Sequence, residues 1–344
     1  RIGFKQLLVE NILMKRNLGN NGTKIFPIGL GGMSFSDAYG VTDTNKTHKV
    51  LNSALDLGID HIDTSDIYGL GVSEERIGLF LAKNKNYKEY FKIATKGGID
   101  RNQNGSSRFN NSKKYLEKSL DNSLKRLGVD CVELYYVHRR DQNIPIEEVT
   151  YTLSGFVNSG KVKQIGYSEI SPSSLEKANN IHRVAAVQSE YSLSTRYPEL
   201  GLIQKLQKLN ATLIAFSPLG RSLLTDKPHS FKKAQTIAFL RDNPRFLEPN
   251  LSQNIQITSK FREYALDNGM SAAQLSLSWL LNKDKTVIPI PGTRSSEHLK
   301  SMVKAAYTEL NEKQMKEINE ILPLGWAHGD RYSVHQWIGP EKYC

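Results

Sequence analysis

Cysteine is nearly absent. The 344 residues contain two, Cys131 and Cys344, too few and too far apart for a disulfide scaffold. No group of Cys and His has zinc-ligand spacing. Long apolar runs are missing too: nothing approaches the ~20 residues that a membrane helix needs. The chain carries no Walker phosphate loop, no HExxH and no GxSxG, so phosphoryl transfer and serine hydrolysis have no support. Its Gly29-Leu-Gly31-Gly32 run starts like a dinucleotide fingerprint, but Ser34 stands where the third glycine belongs, so it reads as a strand-end turn. These absences point to a cytoplasmic protein with no membrane association.

What the chain does have is positive charge, with 46 Lys and Arg against 35 Asp and Glu, a net +11. Such a surplus suits nucleic acid, anionic lipid or a phosphorylated small molecule. The cations are scattered, however. Lys83–Lys88 and Lys113–Arg126 are interrupted by Asn, Tyr, Leu and acids, as on a solvated helix face, which argues against a nucleic-acid partner. An anionic cofactor needs only two or three of them.

Short β-prone runs recur at Ile28–Leu30, Ile59–Thr64, Phe91–Thr95, Cys131–Val137, Val162–Tyr167, Val184–Gln188, Thr212–Phe216 and Thr286–Ile290. Stretches with helical spacing separate them. Asn45–Leu57 puts Val50, Leu51, Ala54 and Leu55 on one face before Gly58. Ser112–Leu127 repeats Leu116, Leu120, Leu124 and Leu127 before Gly128. Ser171-Pro172 opens a third helix, and Thr258–Asn268 and Ser271–Leu281 form two more. Eight strands alternating with helices, without an interdomain break, predict a (β/α)8 TIM barrel in preference to an open doubly wound sheet.

Ahead of the first repeat, Lys15–Leu18 and Lys24–Phe26 flank Asn20-Asn21-Gly22, a hairpin signal, and this hairpin is expected to close the bottom of the barrel. Residues 1–13 precede Met14, and Glu10 and Asn11 break their apolar run, so they read as an extension outside the fold and not as a secretory signal. The barrel is assigned to residues 14–325, followed by a tail over 326–344. Ser217–Ile257 and the tail depart from the repeat and are long enough to cover one mouth.

Chemistry in such barrels sits at the carboxyl ends of the strands. There the sequence offers Asp63 with Tyr68 just beyond, Lys96, and His138. A phenol, with an ordinary pKa near ~10, is a poor donor at neutrality, and a nearby ammonium would lower that value. Lys96 could supply the charge, Asp63 could hold the ammonium, and His138 could bond a substrate oxygen or pass a proton. Each residue alone has a bland alternative as a turn cap or loop end. Four complementary groups at three successive strand ends point to one site.

Gly58-Ile-Asp-His-Ile-Asp63-Thr-Ser-Asp-Ile-Tyr68-Gly69, Ala94-Thr-Lys96 and Leu134-Tyr-Tyr-Val-His138 resemble the signature segments of the aldo-keto reductase superfamily. Leu124-Lys-Arg-Leu-Gly128-Val-Asp130, Gly166-Tyr-Ser168 and Phe216-Ser-Pro-Leu-Gly220 extend the resemblance from Met14 to about Tyr332. Gly29-Leu-Gly-Gly-Met33-Ser, Ile288-Pro-Ile-Pro-Gly292-Thr-Arg294 and Gly329-Asp-Arg-Tyr332 are most similar to the pyridoxal-reductase-like and auxin-induced-protein-like group. Potassium-channel beta subunits are more distant relatives.

The resemblance implies a tetrad of Asp63, Tyr68, Lys96 and His138, with Tyr68 as proton donor to a small-molecule carbonyl substrate. It implies NADPH/NADP+ across the barrel mouth. Gly32, Met33 and Asp63 would be among its contacts, Ser168 and Gln188 would bond the carboxamide, and Phe216 would stack on the nicotinamide. Ser217, Leu219, Gly220 and Arg221 would follow the pyrophosphate, and Gly292, Thr293, Arg294 and His298 would hold the adenosine end. Arg294, permanently charged and forked, suits a ribose 2′-phosphate. Glu169, Phe216 and the Ser301-Met302 pair stand where many members carry Asn, Tyr and Glu-Asn. Two rival readings share the barrel: a nucleotide-bound redox-sensing regulator resembling channel beta subunits, and a Schiff-base lyase with Lys96 as nucleophile.

Overall fold

The computed structural model describes residues 14–101 and 107–342. Expectations about residues 1–13, and the end of the tail, lie outside the described residues. The chain opens with antiparallel β1 (Arg16–Asn17) and β2 (Lys24–Ile25), followed by β3 (Leu30–Gly31), α1 (Thr44–Asp56), β4 (His61–Asp63), α2 (Val72–Leu81) and α3 (Lys85–Tyr90). Next come β5 (Lys92–Gly97), the short strands β6 (Ile99–Arg101) and β7 (Ser107–Phe109), α4 (Lys113–Leu127), β8 (Val132–Val137) and α5 (Ile146–Asn158). Then β9 (Val162–Ser168), α6 (Pro172–Ile181), β10 (Val184–Glu190), α7 (Leu202–Leu209) and β11 (Thr212–Phe216) continue the alternation. The rest comprises α8 (Phe231–Gln235), α9 (Asn250–Asp267), α10 (Ala272–Lys283), β12 (Val287–Pro289), α11 (Ser296–Val303) and α12 (Glu312–Ile321).

Eight strands pair in parallel in the order β12, β11, β10, β9, β8, β5, β4, β3. Gly29 and Gly31 donate backbone N–H groups to Pro289 and Pro291 at 3.0 Å each, joining the first strand to the last. The result is a (β/α)8 barrel. All eight expected strands are present, because buried β-branched runs are a local signal. The helices follow their caps: Asp43 accepts from Lys46 N at 2.7 Å to start α1, and Ser171 accepts from Ser174 N at 3.3 Å to start α6.

Alternation along each strand decides what enters the barrel. Ile93 and Thr95 face the helices, whereas Ala94 and Lys96 face inward. On β8 the inward set is Leu134 and Tyr136, with His138 next. The lower interior layer is apolar, built from Ala94, Leu134, Ala186, Ile214 and Ile288. One step further along the strands the inward residues become Asp63, Lys96, Ser168, Gln188 and Phe216.

The β1–β2 hairpin lies against the amino ends of the strands. Gly19 N donates to Thr212 Oγ1 at 2.8 Å, Gln164 Nε2 donates to the Leu18 carbonyl at 3.0 Å, and Arg16 donates to the carbonyls of Leu281, Asp284 and Val287.

Three segments differ from expectation. The stretch between the expected strand Phe91–Thr95 and the expected helix Ser112–Leu127, to which the sequence assigns no element, contains the β6–β7 pair, too short for periodicity to register. Helix α9 starts at Asn250, eight residues before the expected Thr258, because its first turns are polar and bury only Leu251 and Asn254. The insertion after β11 has an apolar cluster of its own, formed by Leu223, Ala234, Ile237, Leu240, Phe246 and Leu251.

Helices α2 and α4 meet at Gly78, where a Cβ would lie 2.1 Å from the Arg126 carbonyl oxygen. Alanine is the better helix former by about 1 kcal/mol, but overpacking against a backbone atom costs about 1–3 kcal/mol or more. Gly78→Ala is therefore expected to lower the urea midpoint. A raised midpoint would mean that the helices separate freely.

Candidate active site

Asp63 closes β4 and Lys96 lies on β5, one strand over. The Lys96 side chain is fully buried, and its Nζ donates to Asp63 Oδ1, to the Thr64 carbonyl at 2.8 Å and to Tyr68 Oη at 3.3 Å. Those three partners account for all the protons of an ammonium. The other Asp63 oxygen accepts from Gln188 Nε2 at 2.8 Å, so β10, across the barrel, helps to hold the acid.

The loop after β4 turns back on itself, with Tyr68 N donating to the Ser65 carbonyl at 3.2 Å and Gly69 at φ +63°. This brings the Tyr68 ring over Lys96, the ammonium lying 4.9 Å from its centroid. His138, anchored through its backbone N–H to the Gly97 carbonyl at 2.8 Å, meets Tyr68 edge to face at 5.7 Å. Asp63, Tyr68, Lys96 and His138 thus converge on one point of the rim.

The protonation states follow from burial and charge. Burial alone would lower Lys96, but the Asp63 carboxylate and the Tyr68 hydroxyl raise its pKa above the ordinary value, so it stays an ammonium. The expected acidification of Tyr68 is not met. Burial raises the phenol above its ordinary value and the Lys96 charge only partly opposes it. The apolar cleft outweighs one cation that is already paired with an acid. His138 is pushed well below its ordinary value, first by burial and then by the charges of Lys96 and Arg139, so it stands neutral. It is therefore a hydrogen-bonding group at pH 7, not a store of positive charge.

A second polar layer surrounds these four. Glu169, which follows β9 at φ +60°, is fully buried and receives both Arg331 η-nitrogens, at 2.9 and 2.6 Å. Glu190, at the end of β10, accepts from Arg221 Nη2 at 2.7 Å and Thr195 Oγ1 at 2.9 Å, with Arg245 3.7 Å away. The Arg331 guanidinium lies over the rings of Tyr332 and Trp337, 4.7 and 4.8 Å from their centroids. Burial by itself would raise Glu169, yet the Arg331 charge more than offsets it and holds the carboxyl below its ordinary value. Sequence reasoning gave no role to Glu190, Arg245 or Arg331. The available signal was charge balance, since two acids at strand ends call for cations from elsewhere.

The remaining expected residues lie on the same rim. Gly32 and Met33 begin the turn after β3. Ser168 Oγ accepts from Arg139 Nη1 at 3.0 Å. Phe216 ends β11 half-buried, and Ser217 follows at φ +49°. Leu219, Gly220 and Arg221 form a tight turn, the Arg221 guanidinium facing Glu190 and the Arg331 carbonyl. Gly292 is exposed and Thr293 buried, its Oγ1 accepting from Ser295 N at 3.1 Å. Arg294 is exposed and donates to the Gly40 carbonyl at 2.8 Å, and His298 sits in the first turn of α11. Among the described residues no group of three or more His, Cys, Asp or Glu could hold a metal ion. None of their helices is long and apolar enough to cross a membrane.

Arg331→Met should lower the unfolding free energy by about 3 kcal/mol or more at neutral pH, because a buried carboxylate loses its guanidinium. In the parent, the depressed Glu169 value means that the pair stabilises fully above the ordinary carboxylate range and less as pH falls through the folded value. The deficit of the variant should accordingly narrow on acidification, as followed by urea unfolding at several pH values. A pH-independent deficit would contradict this account.

The Aldo/keto reductase family model matches residues 27–323. The chain is 37% identical over 324 residues to the aldo-keto reductase yakc, an NADP(+) enzyme by name, of Schizosaccharomyces pombe, covering 92% of this chain and 94% of that one. It is 35% identical to probable aldo-keto reductase 1 of Glycine max, covering 92% and 90%. Among solved structures, the glycerol dehydrogenase AKR11B4 from Gluconobacter oxydans superposes with a TM-score of 0.79 at 24% identity, covering 90% of this chain and 94% of that one. The thermostable aldo-keto reductase Tm1743 gives 0.69 at 29% identity, covering 89% and 99%. With most of its length matched and its barrel rim organised around the signature segments, the chain belongs to the aldo/keto reductase family.

Proposed function

We propose that the protein is an NADP-dependent reductase that converts an aldehyde or ketone to an alcohol, with Tyr68 as general acid. The observation that carries this reading is the Lys96 ammonium, buried and bonded at once to Asp63 and Tyr68. The names of family relatives support the coenzyme, and the rim offers donors that suit it. Exposed Arg294 and Lys233 flank Gly40, and His229 feels both charges, a cationic corner fit for a phosphate. Ser168 and half-buried Phe216 end β9 and β11 on the same rim, where a nicotinamide would need a polar anchor and an apolar wall. Reduced nicotinamide, when bound, supplies the hydride.

Tyr68, its pKa raised, remains protonated at neutral pH and can give its proton to the far more basic alkoxide that forms. The tyrosinate left behind is stabilised by Lys96, whose position is fixed by Asp63 and, through it, by Gln188. Neutral His138 orients the carbonyl oxygen when its proton sits on Nε2. Because Lys96 is held charged, it is poorly suited to attack a carbonyl, which weighs against the Schiff-base reading. The β1–β2 hairpin is assigned a structural part in the same scheme, plugging the amino end so that substrate enters only at the rim.

Tyr68→Phe should bind NADPH as the parent does, by fluorescence titration, while kcat for aldehyde reduction falls by about 10²–10⁴. Lys96→Met should lose comparable activity, since the tyrosinate then lacks its counter-charge. Undiminished turnover in Tyr68→Phe would rule out its role as the acid.

A further inference from the structure

The loop after β4 carries polar groups that this reaction leaves unused. Ser65 Oγ lies 3.0 Å from His138 Nδ1, 3.2 Å from Asp66 Oδ1 and 3.2 Å from the Lys96 carbonyl. Asp66 Oδ2 accepts from Ser119 Oγ on α4 at 2.7 Å, and that hydroxyl accepts from Tyr135 on β8 at 3.3 Å. A hydrogen-bonded file therefore runs from Tyr135 through Ser119, Asp66 and Ser65 to the imidazole that packs on Tyr68.

Ser65 has one hydroxyl proton to place. If it points to Asp66 or to the Lys96 carbonyl, His138 must present Nδ1–H to Oγ, and Nε2 is bare. If it points to Nδ1, the imidazole proton sits on Nε2. Only the second arrangement can donate to a carbonyl oxygen.

We propose that Asp66, acting through Ser65, is a positioning residue that selects the tautomer of His138: the ionised acid draws the Ser65 proton and leaves Nε2 bare, whereas the protonated acid donates to Ser65 Oγ and releases the hydroxyl proton to Nδ1 in preference to the Lys96 carbonyl, which already accepts from Asp66 N, so that Nε2–H faces the substrate. The consequence for turnover rests on the reading of His138 given above. The tautomer choice itself does not.

The surroundings of Asp66 make it the member of the file that changes charge near neutrality. Burial raises its carboxyl to about 6, Glu74 on α2 adds to the rise, and the Ser119 and Ser65 hydrogen bonds and Arg126 on α4 oppose it. Glu74 is itself bonded to Arg126 Nε at 2.7 Å and to Thr95 Oγ1. The phenols of Tyr115 on α4 and Tyr135 on β8 are shifted upward, mainly by burial, and remain neutral. On β5, Lys96 remains charged, and His138 remains neutral.

The sign follows. Below about pH 6 Asp66 is protonated and Nε2–H dominates, and above it Nδ1–H does. The test is the ¹⁵N spectrum of His138 in the free protein, together with the pH profile of kcat for aldehyde reduction. In the parent the tautomer ratio should move about tenfold toward Nδ1–H between about pH 5 and pH 8, and kcat should fall with the same inflection. Asp66→Asn, whose amide can donate to Ser65 Oγ at every pH, should hold Nε2–H and flatten both curves. Ser65→Ala should remove the inflection as well, by cutting the link while leaving the acid, and it carries the test alone if the first variant does not fold.

A tautomer ratio constant with pH in the parent overturns the proposal, and so does an inflection that survives in either variant. The spectral arm needs neither substrate nor coenzyme. A ratio that shifts while Tyr68→Phe still reduces aldehydes retires the Tyr68 reading alone, and a static ratio beside an inactive Tyr68→Phe retires only this one.

Discussion

A buried ammonium held by one carboxylate is the interaction on which the rest of the rim depends. Lys96 is fully enclosed, and a charge in that position is tolerated only if it is paired and all its protons find acceptors. Asp63, the Thr64 carbonyl and Tyr68 meet that demand together. Loss of any one leaves a buried N–H or a buried charge without compensation, so the phenol is positioned by the same requirement that keeps the lysine charged. The apolar layer below, from Ala94 to Ile288, keeps water from relaxing the arrangement.

A similar rule shapes the outer rim. Glu169, just past the end of β9, and Glu190, at the end of the adjacent β10, are buried, so each needs a cation, and the cations come from segments outside the strand-helix repeat. Arg221 and Arg245 belong to the insertion after β11 and Arg331 to the tail. Trp326 adds an anchor by donating to the Leu193 carbonyl at 2.8 Å. Two long excursions are thereby fixed as walls of the mouth, and the position of each depends on charges held by the barrel.

Much of this was legible in the chain. The strands were visible because each is a short run of buried residues, and α4 because Leu116, Leu120, Leu124 and Leu127 repeat along one face. The convergence of Asp63, Lys96 and His138 followed from their places at strand ends. The β6–β7 pair, the early turns of α9 and the part played by Arg331 were not legible. Two three-residue strands have no period, the start of α9 is polar, and an arginine in a polar tail looks solvated until its partner is known.

The sequence by itself determined the repeat of strands and helices and which residues stand at the strand ends, because hydrophobic period and capping act over neighbours in the chain. Only the tertiary structure decided how those residues ionise. Tyr68 stands above its ordinary value where one nearby cation suggested the opposite, and the pairings of Glu169 and Glu190 join residues far apart in the chain. Desolvation and charge act through space and depend on the whole surroundings of a group, and those exist only once the barrel has closed.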